Sequence, residues 1–281
     1  MRKRKIKNIR LMINSIIIHL IIYALAFITI LPFIWMVLTS VKDISEIFIY
    51  PPKWFPTKLK LSNYIDAFNA APFGRYYLNS LIVATTVTFG QLITCSLAAY
   101  AFARLKFPGR DILFYMFLGT MMIPMNVTMI PAYMILSWLG WIDTLNALIV
   151  PGLASAFGTF LLRQFFMTIP KDLEESAYID GASRLKILLR IIIPLSKPAL
   201  ATLSIFTFMG VFNDFIWALI CINSEELKTV QLGLATFRDK YFTQWDLLMA
   251  GSVTAVVPIL IVFFIAQKYF IQGITLSGLK E

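Results

Sequence analysis

The sequence is poor in the residues that carry most metal and thiol chemistry. Its 281 residues contain one histidine, His19, and two cysteines, Cys95 and Cys221. A site built from several histidines within this chain is therefore excluded, and we expect no metal site. Each cysteine lies inside a long apolar stretch, where a buried free thiol is the usual state.

Nucleotide-binding motifs are missing as well. The sequence has no G-x-x-x-x-G-K-[ST] loop and no Gly-Lys pair, so nothing in it matches the loop that cradles the phosphates of ATP. Its apolar stretches also lack the convergent histidines, cysteines or carboxylates that a membrane-embedded enzyme requires. We therefore predict that the chain is not an enzyme and carries no cofactor of its own.

Charged residues are also few. Only 14% of the residues are Asp, Glu, Lys or Arg, whereas soluble domains carry about 25%. Hydrophobic residues make up 59% of the chain, and the mean hydropathy is +0.77. This composition indicates an integral membrane protein.

Six long stretches hold most of the apolar residues, and their only charged residue is Asp214. About 20 consecutive apolar residues suffice for a helix to cross a bilayer. Pro124 and Pro131 are expected to kink the third stretch or to mark a break in it. We predict an all-α integral membrane protein with six transmembrane helices. The stretches are residues 11–41, 76–103, 112–142, 144–162, 198–223 and 247–267.

The distribution of lysine and arginine predicts the orientation. Residues 1–10 contain six basic residues, and the segment 163–197 between the fourth and fifth stretches contains another six. By the positive-inside rule, both termini and segment 163–197 are cytoplasmic, and the protein is a multi-pass protein of the cell membrane. The net charge of +10 is explained by this topology and by anionic lipid headgroups, so we expect no nucleic-acid partner.

Segment 163–197, called the polar loop below, has strong local signals for helix formation. Asp172 stands three residues before Glu175, which is the spacing of a capping box with Asp in place of Ser or Thr. This predicts a short helix over about residues 173–180. Gly181 then closes it, because glycine enters the left-handed conformation without steric cost.

A second helix is predicted in the same loop. Ser183 offers an N-cap, and residues 185–193 are basic and apolar, up to an interruption at Pro194. Two interpretations of this helix pair remain open from the residues alone. One is a docking surface for a partner, and the other is an amphipathic hairpin lying on the membrane, favoured by Arg184, Lys186 and Arg190.

The first helix has the chemistry expected of a docking surface. Ser176 and Ala177 are small and allow close approach, while Glu174, Glu175 and Asp180 offer carboxylates to basic groups. A loop that only joined two spans would not need this much local specification. The docking interpretation therefore assigns functional roles to these five residues and to the turn that follows them.

The polar loop resembles a family signature. Glu175-Ser176-Ala177, three residues, Gly181, nine residues and then Ile191-Ile192-Ile193-Pro194 is similar to the EAA signature of the membrane subunits of binding-protein-dependent ABC importers. That signature is E-A-A, x3, G, x9, I-x-L-P. Ser176 replaces an alanine and Ile193 replaces a leucine, and both are small changes in volume.

The resemblance extends over roughly residues 21–281. "TMMIPMNVTMIPAYMIL", "LLRQFFMTIPKDLEESAYIDGAS", "FNDFIWAL" and "LMAGSVTAVVPILIVFFIAQKYFIQGIT" are similar to the carbohydrate-uptake branch, in particular to the smaller permease of the maltose importer. The final "LSGLKE" departs from the usual ending of that branch. In the family this tail reaches between the ATPases, which implies contacts at Gly278 and Lys280.

The resemblance implies a permease subunit without catalytic residues. Residues 1–281 would form one transmembrane permease domain, with a basic segment at 1–10, the coupling loop at 163–197 and a cytoplasmic tail at 268–281. Its partners would be a second permease subunit, two copies of an ATPase subunit that bind ATP and Mg, and an extracytoplasmic solute-binding protein. The cargo would be a sugar or oligosaccharide. The residues implied in coupling to the ATPase are Glu174, Glu175, Ser176, Ala177, Asp180 and Gly181.

Asp214 and Asn213 are the candidates for the substrate path. A charged residue within a span is costly and is usually functional, and this pair would accept hydrogen bonds from sugar hydroxyls. The alternative is that a neighbouring helix or water satisfies Asp214. A different class of protein, an ion-coupled secondary transporter or channel subunit using Asp214, is disfavoured because a single aspartate lies in six spans and no repeated filter loop is present.

Overall fold

The computed structural model describes residues 2–238 and 242–277, and these residues are mainly helical. Within them, β pairing is limited to an isolated antiparallel bridge between Arg238 and Thr243. The all-α prediction is confirmed. The α-helices are α1 Arg2–Ser40, α2 Ile44–Ile47, α3 Ser62–Ala70, α4 Phe73–Arg104, α5 Arg110–Gly119, α6 Met125–Trp138, α7 Leu145–Ile149, α8 Ala156–Thr168, α9 Asp172–Ile179, α10 Arg184–Ile187, α11 Ile193–Leu195, α12 Lys197–Phe212, α13 Ile216–Cys221, α14 Val230–Leu234 and α15 Trp245–Ser277.

Four helical segments are long and apolar enough to cross a membrane: Met12–Ser40, Phe73–Arg104, Leu145–Thr168 and Trp245–Ile265. Two bent pairs pass the same criterion if each pair is taken as one span. These are Arg110–Met122 with Met125–Trp138, bent by 101°, and Arg184–Leu195 with Lys197–Phe212, bent by 81°. The described residues therefore support four to six spans, and the count of six stays a prediction.

The structure refines three of the predicted segments. The third stretch breaks at Pro124, as expected for one of its two prolines, whereas Pro131 lies inside α6. The fourth extends to Thr168, so Arg163 lies within a helix. Its charged side chain is accommodated there because its Nε donates to the Phe102 carbonyl at 3.3 Å and its guanidinium covers the Phe114 ring at 4.0 Å.

The fifth stretch is the largest correction, because α12 ends at Phe212 and a separate helix, α13, starts at Ile216. The physical reason is local. The Asp214 carboxylate accepts the Trp217 amide at 3.2 Å, which satisfies a backbone group at the start of α13 in place of a continued helical bond. Asp214 therefore lies in a helix break and not in the middle of a continuous span.

The chain divides into two compact units. The first comprises the residues up to Ala70 together with Phe237–Thr254, and the second comprises Ala71–Thr236 with the remainder of α15. The prediction of a single domain stays a prediction.

In the first unit, polar contacts fold the segment after α1 back on the end of that helix. The buried side-chain amide of Asn63 donates to the carbonyls of Ser40 and Lys42 at 3.0 and 2.8 Å. Hydrogen bonds from Ser45 and the ion pair with Lys60 lower the pKa of Asp43 to about 2.

The core of the second unit forms where α4, α8 and α12 pack together. Cys95 and Ala99 of α4, Leu162 and Phe166 of α8, and Leu203 of α12 are all buried in it. Both cysteines, Cys95 and Cys221, are buried free thiols, as predicted. The side chains in this cluster leave little room around the backbone of α8, which starts beside them.

Gly158, in the first turn of α8, packs directly against this cluster. A Cβ built there would lie 2.9 Å from both the Cys95 sulfur and a methyl carbon of Leu203, whereas a Cβ at Gly210 of α12 would meet nothing within 4 Å. We expect Gly158→Ala to lower the free energy of unfolding by about 1–3 kcal/mol through overpacking. Gly210→Ala should be neutral or stabilising, since alanine is the better helix former.

Thermal unfolding of the purified variants in detergent measures both effects. The helix-packing account would be contradicted if Gly158→Ala were as stable as Gly210→Ala.

Candidate functional site

The first helix of the polar loop, α9, begins one residue before the predicted position. Lys171 precedes the helix with helical backbone angles (φ −69°, ψ −28°) and no side-chain cap. Its carbonyl accepts the amides of Glu174 at 2.8 Å and Glu175 at 3.0 Å. Asp172 is thus inside the first turn, and the predicted capping box is wrong because the backbone of Lys171 starts the helix. The acidic first turn still complements the positive end of the helix dipole.

Gly181 terminates α9 as predicted, with φ of +77°. The Gly181 amide donates to the Tyr178 carbonyl at 3.0 Å, and the Ala182 amide donates to the Ala177 carbonyl at 2.9 Å. This pair of bonds is a Schellman motif, in which the left-handed residue satisfies the last carbonyls of the helix. The direction in which the chain leaves α9 is therefore set by the backbone of one glycine.

The second helical run of the polar loop starts at the predicted cap. The Ser183 hydroxyl accepts the Lys186 amide at 3.4 Å. The run then passes through a π-helical turn, Leu188–Ile192, and ends with an 81° bend at Ser196. Pro194 lies inside the run, which ends one residue later at Leu195, so the predicted interruption is displaced to Ser196. The hydrogen-bond pattern directly before Pro194 is the π-helical turn, and not a regular α-helix that the proline would have to break.

This second run packs into the protein. Ile187, Leu188 and Ile192 are buried in the same cluster as the side chains of α4 and α8. A hairpin lying on the membrane would instead turn these apolar side chains toward lipid. The structure therefore does not support the surface-hairpin interpretation, and it ties the polar loop to the helix bundle.

The first helix of the loop, in contrast, is largely uncovered. None of the eight residues of α9 is buried. Glu175, Ser176 and Asp180 are exposed, while Ala177 is partly buried against the core cluster. The face that remains open therefore presents carboxylates and a small polar residue.

Sequence reasoning missed the apolar part of that face. Leu173, Tyr178 and Ile179 are 43%, 64% and 85% exposed. Large exposed apolar side chains on a helix indicate a surface that another protein or the membrane covers. These large apolar residues stand within the most polar stretch of the chain, and this was the sequence signal that could have revealed the apolar surface.

Glu174 has an internal partner. Its Oε1 lies 2.7 Å from the Nε of Arg104, the last residue of α4, and the two side chains are 14% and 5% exposed. The Tyr100 hydroxyl lies 3.5 Å from Glu174 Oε2. The sequence suggested that this carboxylate pairs with a partner protein, whereas the structure directs it inward.

The two candidate path residues lie at the break between α12 and α13. The Asn213 amide donates to the Met209 carbonyl at 2.9 Å, and its Oδ1 accepts the Gln231 side-chain amide at 3.0 Å. Asp214 lines a cavity of about 280 Å³ and is the only charged residue in its lining within the part of the chain that the structure describes. The cavity is lined mainly by apolar side chains, together with the hydroxyl residues Ser80, Thr128 and Thr229.

Thr229 adds a second observation in this cavity. Its hydroxyl oxygen is buried and has no hydrogen-bond partner among the described residues. A buried hydroxyl without a partner is unfavourable unless something else supplies the bond. Thr229 lines the cavity through other atoms, because its hydroxyl oxygen is itself buried.

The segment after α13 is held by side chains from two other elements. Asp143, in the left-handed region at φ 60°, accepts the amides of Asn223 at 2.9 Å and Ser224 at 2.8 Å, and also the Ser224 hydroxyl. These hydrogen bonds lower the pKa of the Asp143 carboxyl. Lys228 and the Tyr76 hydroxyl similarly lower the pKa of Glu225.

Gly278 and Lys280 lie outside the described residues. Among the described residues, no group of three or more His, Cys, Asp or Glu is placed to hold a metal ion.

Comparison with known proteins decides the family. Residues 92–276 match the family described as "Binding-protein-dependent transport system inner membrane component". This chain belongs to that family. It is therefore the membrane subunit of a binding-protein-dependent ABC importer, and the ion-coupled transporter and channel alternatives are set aside.

Individual relatives cover nearly the whole chain of this permease. It is 35% identical over 273 residues to "Probable ABC transporter permease protein YurM" of Bacillus subtilis, which covers 95% of this chain and 88% of that protein. It is 35% identical over 285 residues to "Trehalose/maltose transport system permease protein MalG" of Thermococcus litoralis, covering 100% of this chain and 99% of the other.

A solved structure has the same fold as this permease. It is a chain of "Crystal structure of a bacterial ABC transporter involved in the import of the acidic polysaccharide alginate", with a TM-score of 0.81 and 26% sequence identity. The match covers 92% of this chain and 96% of that chain.

Acid should loosen the segment that Asp143 holds. A lowered carboxyl pKa stabilises the fold fully above the ordinary value of about 3.9, and this contribution is lost as the pH falls through the lowered value. We expect the amides of Asn223 and Ser224 to exchange faster, relative to the intrinsic peptide rate, as the pH drops below about 4. Asp143→Ala should exchange rapidly at neutral pH and show no such dependence.

Hydrogen exchange read by mass spectrometry tests this, and the Lys186 amide is an internal control because a neutral hydroxyl caps it. Equal acid dependence at both places would contradict the role of Asp143.

Proposed function

We propose that this permease forms half of an alternating-access path for a sugar or oligosaccharide. A second permease subunit would supply the other half, and two copies of a separate ATPase subunit would bind ATP and Mg. An extracytoplasmic solute-binding protein would deliver the cargo. The observation that carries the proposal is α9, an uncovered helix with exposed apolar side chains whose exit is set by Gly181.

In this proposal α9 docks in a groove of the ATPase. Tyr178 and Ile179 are the most exposed of its large apolar residues, and buried aromatic and aliphatic anchors dominate the energy of most interfaces. Glu175 and Asp180 would meet basic groups at the rim of the groove, while Ser176 permits close approach. Movement of the ATPases on binding ATP would then displace α9 together with the helices on which it is mounted.

The orientation follows from charge. Residues 1–10 and the polar loop carry twelve of the 25 basic residues, which supports cytoplasmic termini and a cytoplasmic α9. The chain also lacks the phosphate-cradling loop of an ATPase. Energy for transport must therefore reach it through a contact with another protein on that side, and α9 supplies the surface for the contact.

The cargo class rests on relatives. The Thermococcus relative is named for trehalose and maltose transport, and the solved importer is described as taking up alginate, a polysaccharide. Carrying this to the present chain is an analogy of family. The physical observation that agrees with it is the cavity at Asp214, since a carboxylate accepts hydrogen bonds from the hydroxyl groups of a sugar.

Gly181→Asp should separate membrane insertion from coupling. The substitution costs roughly 1 kcal/mol or more because φ there is +77°, and it would misdirect the chain leaving α9. We expect normal insertion but loss of the ATPase when the tagged permease is purified from membranes in mild detergent. Mass spectrometry of the copurified proteins measures the result.

Gly140→Asp is the matched control. Gly140 closes α6 with φ of +69° and the same pair of hydrogen bonds, and in both glycines a Cβ would meet nothing within 4 Å. This variant should keep the ATPase. Loss from both variants, or from neither, would contradict the docking of α9.

Asp214→Asn should weaken sugar recognition without disturbing the fold. The asparagine oxygen can still accept the Trp217 amide, so α13 keeps its start. Hydrogen bonds to a charged group contribute about 1.5–3 kcal/mol, so KM for uptake should rise about tenfold or more while ATPase binding stays native. An unchanged KM, measured with the sugar that stabilises the solute-binding protein in a thermal screen, would remove Asp214 from the path.

A further inference from the structure

Few side-chain contacts connect α9 to the helix bundle. None of its side chains is buried, and Ala177 packs only partly against the core. The strongest polar connection runs through Glu174, which is 14% exposed, whereas the anchors Tyr178 and Ile179 are 64% and 85% exposed. A displacement of α9 by a partner must therefore pass to the spans through few contacts.

Arg104 receives that connection and extends it to a third element. Its Nε pairs with Glu174 of α9 at 2.7 Å, and its Nη2 donates to the carbonyls of Phe166 and Ile169 at 2.7 and 2.6 Å. Phe166 is in the last turn of α8, and Ile169 is the first residue after that helix. One guanidinium thus joins the ends of α4 and α8 to α9.

The chemistry of this junction makes it stiff. Both charges are largely withdrawn from solvent, so separating them would leave an uncompensated charge in a medium that solvates it poorly. The carbonyl end of α8 carries the negative end of its dipole, which favours a cation there. The planar guanidinium donates to the two carbonyls through Nη2, and its Nε meets Glu174 as a close ion pair and not as an aligned hydrogen bond. A lysine ammonium does not reproduce this arrangement.

We propose that Arg104 is the positioning residue through which movement of α9 reaches α4 and α8. Glu174 acts inward, as the partner of Arg104, and Glu175 on the exposed side acts outward, toward the ATPase. This inference rests on the proposed function, because it needs an ATPase that moves α9. Arg104 touches neither cargo nor nucleotide, and its role is to transmit displacement.

The test follows the Asp214 cavity in the assembled importer as it responds to ATP. A reporter cysteine replaces Thr128, which lines the cavity, after Cys95 and Cys221 have been changed to alanine. A membrane-impermeant thiol reagent then measures the rate of labelling with and without ATP and vanadate. We expect the native junction to show a nucleotide-dependent change in rate and Arg104→Gln to reduce that change at least about fivefold.

Two further measurements separate transmission from folding. Arg104→Gln should keep its ATPase on purification, because Arg104 is 5% exposed and lies behind α9. Arg190→Gln, the same change at an exposed arginine of the polar loop, should label as the native importer does. Arg104→Lys should be intermediate, since it keeps the charge but not the planar fork.

The results of these measurements decide whether Arg104 transmits the movement of α9. A native nucleotide response in assembled Arg104→Gln overturns the inference, even if less of the complex is made. If Arg104→Gln does not assemble, Glu174→Gln and Arg104→Lys decide in its place, and native responses in both overturn it. A native importer that binds no ATPase, or that shows no response to nucleotide, overturns the proposed function itself, and this inference with it.

Discussion

Backbone N–H and C=O groups inside a bilayer have no water to bind, so each helix break in this permease needs partners from the protein itself. The segment 150–155 interrupts the fourth stretch, yet its carbonyls have partners on α4. Gln91 donates to the Gly152 carbonyl at 2.7 Å and Thr94 to the Leu153 carbonyl at 2.6 Å. Gln91 is itself oriented by the Thr207 hydroxyl of α12 at 2.8 Å. The break is tolerated because neighbouring helices supply its hydrogen bonds.

The same constraint makes α4 the element that organises the second unit. Toward its N-terminal end, Asn79 donates to the carbonyls of Glu226 and Lys228, and the Ser80 hydroxyl accepts the Val230 amide. At its C-terminal end, Arg104 holds the end of α8 and the polar loop. One continuous helix therefore connects the segment after α13 to α9, which places both on a common rigid support.

The polar loop shows how far local sequence chemistry reaches. Gly181 and Ser183 have the conformation and the bond that were predicted for them, because each depends on the backbone within a few residues. Two further predictions for this loop, the cap at Asp172 and the interruption at Pro194, failed although they also concern local structure, because each helix boundary lies one residue from its predicted position. A helix can start or end at any of several neighbouring residues, whereas a left-handed backbone position is adopted readily by glycine alone.

The sequence by itself determined that this is a membrane protein, the approximate positions of its apolar helices, and its family, through the signature in the polar loop. These depend on composition and on short-range spacing, which survive without tertiary contacts. Only the tertiary structure decided that Glu174 faces Arg104, 70 positions away, and that Asp214 lies at a helix break beside a cavity. A carboxylate looks the same in sequence whether it points inward or outward, and its direction is set by which distant cation the fold brings within reach.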